Sequence, residues 1–576
     1  MSRSPEHLTT RQDQLNPKKI TVHVEELGQL QGWEFPNGVR QFYSIPYGRL
    51  TKNWTRATLA DSWENKEHDG TRLGPWAVQP APFDFLATFD TAKVKPFKHL
   101  NTPDEDDGDN CLTINLTVPP SDTGKPLPVM VFIHGGGFVY GSAHLPVYDG
   151  FRLVSESVRK GRPVVYAAIN YRLGLFGFLA SRDIAADLKS DGFEGNGNFA
   201  FTDQQTALHW INKYISQFQG DADNVTIFGE SAGGMSVGCQ WYAKKPAPFQ
   251  RAIQHSGSPA SFRCFSMEEH ELLYSKTLQY FDISPEAPDA LAQLQRIPNR
   301  QICAATLDIF GILEPLPSPC LDGWFWDEDH LPSPTSWNAP PPWLKGFMQG
   351  NVGSEGMIYR YTLAKETYET VRTAFLRHLS PETTDFIFAL YDFHEDLSSA
   401  ELLSSLEQMF ADTVFYLPDE GRAQRTAAAS SSTAPPSYFF HFDEKCAFPN
   451  NIYRGEAYHS FDLLFVFLTM YEELTREQQR LADAVHEAWI RFAHGEAPWE
   501  EYRLGRRWCT LGPDGKMDMV ANGGGGARKH SRVKTLLRRA DVVPGFARAV
   551  EDVSIKRYLI SEERPKEWSK SLLETF

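Results

Sequence analysis

The stretch that most constrains this chain is Val225-Thr226-Ile227-Phe228-Gly229-Glu230-Ser231-Ala232-Gly233-Gly234. Val225 to Phe228 is a short apolar, β-branched run and reads as a buried strand. Gly229 to Gly233 then fits Gly-x-Ser-x-Gly, a pattern with a steric origin. A serine at the apex of a very tight strand-to-helix turn sits in strained backbone, and its neighbours must be small for strand and helix to approach. The Ala232 N–H would then point into the site as one donor of an oxyanion hole. The pentapeptide alone is weak evidence, because a glycine-rich turn with a surface serine also fits it.

Matching parts lie on both sides. Upstream, Pro128 to Ile133 is a continuous apolar run, the mark of a central strand, and it ends in His134-Gly135-Gly136-Gly137-Phe138. Glycines there let backbone N–H groups face a ligand at close range, which makes Gly136 and Gly137 the other expected oxyanion donors. Pro163 to Asn170 is a second buried strand, and Asp203 to Asn212 has helical spacing. Strand, helix and strand in succession predict parallel pairing and an α/β sheet. The first strands, near residues 20–24, 27–32 and 41–47, read instead as an antiparallel opening. Downstream, Lys345 to Val352 is a strand ending in Gly353-Ser354-Glu355-Gly356, a place for an acid. Ser437 to Phe442 is another strand, Gly455 to Leu463 carries His459, and Leu481 to Ala493 reads as an amphipathic helix.

Composition narrows the function. A net charge of −16 argues against nucleic-acid and anionic-membrane partners. No apolar run is long enough to span a bilayer, and Met1 to Asn16 lacks the apolar segment of a signal peptide. The seven cysteines are widely spread and follow neither a metal-site nor a disulfide spacing, so they read as reduced thiols in an intracellular protein. Residues 65–100 form a long irregular loop with Trp76, Phe83, Phe85, Phe89 and Phe97, either covering a pocket or packing a satellite cluster. Residues 426–436 are low in complexity and read as a flexible insertion.

Taken together these residues resemble the type B carboxylesterase family, α/β-hydrolases that include cholinesterases and fungal lipases. The likeness covers nearly the whole chain. It includes Ile45-Pro46-Tyr47, Cys111 to Asn115, His134 to Phe138, Asn170 to Leu173, Gly197 to Gln204, Phe228 to Gly234 and Ser256-Gly257-Ser258. It continues through Asp322-Gly323, Gly353 to Gly356, Gly455 to Phe467 and Trp489 to Trp499. The resemblance implies one α/β-hydrolase domain over residues 19–576 after a disordered lead, 1–18. That domain has a large, mixed, mostly parallel central sheet flanked by helices, with long insertions over the active site.

By the same resemblance Ser231 is the nucleophile, Glu355 the acid and His459 the base, in the chain order of that fold. Ser256 supports the acid side, and Glu230 occupies the family's usual acidic or amide position without a part in proton transfer. The implied reaction is hydrolysis of a small-molecule carboxylic ester, with no cofactor and no metal. Acyl transfer or lactone opening in a biosynthetic pathway would use the same residues. A non-catalytic binding relative is the alternative of another class; such relatives typically lose a triad member, and this chain keeps all three. A histidine base with an ordinary pKa predicts activity falling as pH drops through roughly 6 to 7. One departure stands out: Ala77 occupies the place where the family carries the disulfide partner of Cys111, which leaves that loop without its staple. Ala200 and Asn110 also depart from the usual glycine and acid.

Overall fold

The structure, a computed structural model, describes residues 16–80, 110–120, 124–262, 264–310, 318–326, 337–429, 434–521 and 527–555. Most of the expected lead lies outside these residues. So do the aromatic loop beyond residue 80 and positions 430–433 of the low-complexity stretch.

Among the described residues, thirteen strands form one sheet. Its centre is parallel. Val165–Ile169, Leu127–Ile133, Gly220–Glu230, Arg251–His255, Gly346–Val352, Ser437–Phe442 and Arg507–Leu511 lie side by side in that order. Thr113–Val118 joins Val165–Ile169 antiparallel, and the opening strands Lys18–Val24, Gly28–Glu34 and Arg40–Pro46 extend that edge. Met517–Ala521 closes the other edge, also antiparallel. The result is the large, mixed, mostly parallel sheet that the sequence predicts.

Periodicity explains where each strand sits. Every residue of Leu127–Ile133 and Val165–Ile169 is buried, as continuous apolar runs covered on both faces require. Lys18–Val24 alternates between exposed and half-buried positions at the sheet's edge. The two predicted helices are present and longer than predicted, Phe199–Tyr214 and Arg476–Ala493, the latter opened by a Thr475–Gln478 capping box. Residues 260–345 include the helices Met267–Tyr280, Ala290–Gln295 and Asn299–Phe310. The low-complexity stretch begins inside a helix, since Leu417–Ala428 runs through its first residues with Thr426 buried.

Parallel strands bring their carboxyl ends to one edge of the sheet, the edge where such folds place their sites. Ser231, Ser256 and the Val352-to-Glu355 turn follow three adjacent strands there. All seven cysteines are free and buried. Ala77 and Cys111 lie in the same apolar cluster, so packing occupies the place of the missing staple. No helix among the described residues is long and apolar enough to cross a membrane.

Candidate active site

The Gly220–Glu230 strand stops at Glu230 and the helix Ala232–Tyr242 starts two residues later. Ser231 alone makes the turn, at φ 56° and ψ −126°, a region that costs a non-glycine residue strain energy. The surroundings enforce it. A methyl group on Gly233 would lie 2.0 Å from the Ile133 carbonyl oxygen, so the helix can press against the neighbouring strand only without a side chain there. Ser231 N–H donates to His255 O at 2.9 Å, fixing the turn to the next strand.

The glycine loop packs against this turn: a methyl on Gly135 would lie 3.0 Å from Ser231 Cβ. Gly136 has φ 104° and Gly137 φ 61°. Among the described residues no group accepts a hydrogen bond from the N–H of Gly136, Gly137 or Ala232. Ala232 is also the first residue of its helix, where N–H groups lack intrahelical partners and the dipole favours negative charge. Gln79 ties this loop down, accepting from Gly141 N at 3.0 Å and donating to Gly141 O at 3.1 Å. His134 beside it stacks on Tyr171 at 4.5 Å, and burial pushes its imidazole down to about 4, so it is neutral.

On the acid side, His459 Nδ1 lies 2.6 Å from Glu355 Oε2, and Glu355 Oε1 accepts the Val352 N–H at 2.8 Å. Both side chains are buried, and the Phe415 ring packs over the imidazole at 5.3 Å. The other ring nitrogen, Nε2, lies 3.0 Å from Glu230 Oε1 without hydrogen-bonding geometry. That same oxygen accepts the Ser460 hydroxyl at 2.6 Å. Sequence reasoning set Glu230 aside, yet the fold places it against the ring, and Nε2 makes no hydrogen bond to Ser231 in this conformation. Burial works against a charged imidazole, but the carboxylates of Glu230 and Glu355 outweigh it and move the His459 pKa upward. The expectation of an ordinary histidine is therefore corrected: the two carboxylates hold the His459 pKa above the usual imidazole range.

Ser256 also differs from expectation. Its hydroxyl is buried and has no hydrogen-bond partner among the described residues. Its contact with the acid strand is through the backbone, N–H to Gly350 O at 2.8 Å.

A second histidine–carboxylate pair has its histidine on the strand that anchors the Ser231 N–H and was missed from sequence. His255 Nδ1 lies 2.6 Å from Asp462 Oδ2, and Trp489 Nε1 donates to His255 Nε2 at 2.9 Å. The available signals were that Asp462 follows His459 by three residues and that Trp489 opens a quoted motif. No group of three or more His, Cys, Asp or Glu among the described residues could hold a metal ion.

Comparison with known proteins places the chain among relatives of one family and fold. Residues 18–519 match the carboxylesterase family. The para-nitrobenzyl esterase of Bacillus subtilis is 30% identical over 500 residues, covering 83% of this chain and 91% of that protein. Lipase 3 of Yarrowia lipolytica is 27% identical over 478 residues, 81% of this chain and 87% of that one. An inactive carboxylesterase-like protein of Byssochlamys spectabilis is 26% identical over 525 residues, covering 82% and 85% respectively. A solved PNB esterase superposes with a TM-score of 0.70 at 24% identity, over 89% of this chain and 99% of that one; this likeness shows the fold alone.

Proposed function

This chain belongs to the carboxylesterase family and is a carboxylic ester hydrolase, and from that premise we propose that it works through an acyl-enzyme on Ser231. His459 Nε2 takes the Ser231 hydroxyl proton as Oγ attacks the ester carbonyl carbon. Glu355 holds the Nδ1–H and stabilises the imidazolium that forms. The N–H groups of Gly136, Gly137 and Ala232 receive the oxyanion, each donor worth about 3 kcal/mol in the transition state. Collapse expels the alcohol, which leaves with the proton from His459. Water then repeats the sequence on the acyl-enzyme, releasing the acid and restoring Ser231.

The observation that carries this reading is the buried Glu355–His459 contact at 2.6 Å on the sheet edge that also holds the strained Ser231. In the resting conformation Nε2 faces Glu230, so the base step requires a neutral ring presented to Ser231. Seven buried free thiols fit a reducing, intracellular setting, and one sheet running from Lys18 to Ala521 fits a single domain.

The test is hydrolysis of p-nitrophenyl esters from acetate to palmitate by wild type and Ser231→Ala. Loss of several orders of magnitude in the variant is expected. A short-chain preference marks a carboxylesterase and a long-chain preference a lipase. Folded wild type inert on every ester would overturn the reading. Product analysis with an added alcohol separates hydrolysis from acyl transfer.

A further inference from the structure

Behind the acid lies a second, buried polar assembly. The helices Ser399–Ala411 and Leu417–Ala428 are joined by one π turn, Asp412–Tyr416. Such turns re-aim the side chains that follow and recur at functional sites. Tyr416, the last residue of that turn, and Asp419 in the helix after it stand three residues apart on one face, against the carboxyl end of the Gly346–Val352 strand. The Tyr416 hydroxyl lies 2.8 Å from Val352 O and 2.9 Å from Gly353 O. Asp419 accepts the Gln349 amide on Oδ1 and the Asn351 amide on Oδ2, the latter at 2.6 Å. Asn351 Oδ1 is in turn 2.5 Å from His441 Nδ1, whose Nε2 lies 3.0 Å from Asp443 Oδ1. Val352 is the link to the chemistry, because its N–H seats Glu355 Oε1.

We propose that Asp419 and Tyr416 are positioning residues for Glu355: they fix the end of the strand from which its carboxylate is held against His459. The inference rests on the reading of Glu355 as the triad acid. Each amide donates to its own Asp419 oxygen, and only the ionised carboxylate presents both oxygens purely as acceptors. Protonated, it turns one oxygen into a donor facing an amide N–H, and one of the two ties to the strand is lost. The charged groups that face it are Glu355 from the acid turn, which opposes its ionisation, and Arg422 on its own helix, which favours it. From the packed helix Ala527–Arg538, Arg532 is bound to Asp412 and Lys534 faces Glu420. Burial raises the Asp419 carboxyl to about 7, so this tie forms and breaks within the pH range of an ester assay.

The experiment compares wild type, Asp419→Asn and Tyr416→Phe. It follows kcat and KM for p-nitrophenyl acetate against pH, the labelling of Ser231 by a fluorophosphonate probe, and the melting temperature. Asparagine mimics the protonated carboxyl. Asp419→Asn is therefore expected to lose roughly tenfold in kcat at pH 8 with KM little changed. The ratio of wild type to variant should fall towards one as pH drops through about 7. Tyr416→Phe removes the hydroxyl without removing the charge, so it should lower kcat several-fold while keeping the Asp419 ionisation in its profile. A ratio flat with pH, accompanied only by a lower melting temperature, makes Asp419 structural and overturns the inference. Should Asp419→Asn not fold, Tyr416→Phe decides alone, and a kcat within about twofold of wild type overturns it. Wild type that the probe does not label at Ser231 would sink the triad reading instead, which separates the two failures.

Discussion

Two of the buried histidine–carboxylate pairs at this sheet edge match at one ring nitrogen and differ at the other. In each, Nδ1 meets a carboxylate oxygen at 2.6 Å, Glu355 for His459 and Asp462 for His255, and all four side chains are buried. The difference is at the far nitrogen. Trp489 donates its indole N–H to His255 Nε2, which fixes the proton on Nδ1 and leaves no lone pair to accept another. Among the described residues His459 Nε2 has no hydrogen-bond partner, and it faces Glu230 at 3.0 Å. Under the proposed mechanism a buried His–carboxylate pair is not in itself a catalytic device; what the second nitrogen meets decides. The capped pair has a mechanical consequence. It rivets Asp462, three residues past the base, to the strand whose His255 carbonyl anchors Ser231 N–H.

The largest expected effect breaks the symmetry directly. His459→Ala should lower kcat by about 10⁴-fold or more, whereas His255→Gln should leave kcat within roughly tenfold, because the Ser231 anchor is the His255 backbone. Equal losses in two folded variants would mean the capped pair takes part in the chemistry. Next comes stability. Asp462→Ala strips a buried histidine of its partner and should cost about 1–3 kcal/mol. Trp489→Phe keeps the ring but orphans Nε2, and belongs at the lower end of that range. Urea denaturation with unchanged m-values reads both, and wild-type midpoints would remove the rivet.

The two pairs also differ in how far the sequence shows them. The Ser231 turn is local: strand, glycines and serine are contiguous, and the steric demand is written in five residues. Glu355 and His459 are separated by 104 residues and are legible only because each sits in a recognisable short motif. Asp462, His255 and Trp489 carry no such mark. Their contacts span 207 and 234 residues, and a buried polar side chain paired across the fold leaves no periodicity. The same holds for Asp419, whose partners Gln349 and Asn351 read from sequence only as members of a strand. Arg507–Leu511 and Met517–Ala521 were also missed; each is five residues long, too short to separate from loop by pattern alone. The Ser399–Ala428 run carries Pro418 just after the π turn, and a proline inside a run argues against a helix from sequence alone.

The smallest expected effect tests the open nitrogen itself. His459 lies between two carboxylates whose combined pull exceeds the cost of burying its charge, so the protonated ring persists to higher pH than an ordinary histidine would. Only the neutral ring can accept the Ser231 proton, and kcat/KM should therefore rise through that upward-shifted value rather than through roughly 6 to 7. Glu230→Gln removes one of the two charges while keeping an oxygen for the Ser460 hydroxyl. The neutral ring then appears at lower pH, the acid limb of the profile moves down, and near pH 6 the variant gains on wild type. Stability shifts the other way. A raised folded-state pKa contributes stability that is fully present below the unfolded histidine's pKa and is lost as pH rises through the folded value. The variant's deficit in melting temperature should therefore be greatest in acid and shrink in alkali. Superimposable acid limbs for wild type and Glu230→Gln would remove Glu230 from the electrostatics of the base. The open nitrogen of His459 would then owe its state to Glu355 alone, as the capped nitrogen of His255 owes its own to Trp489.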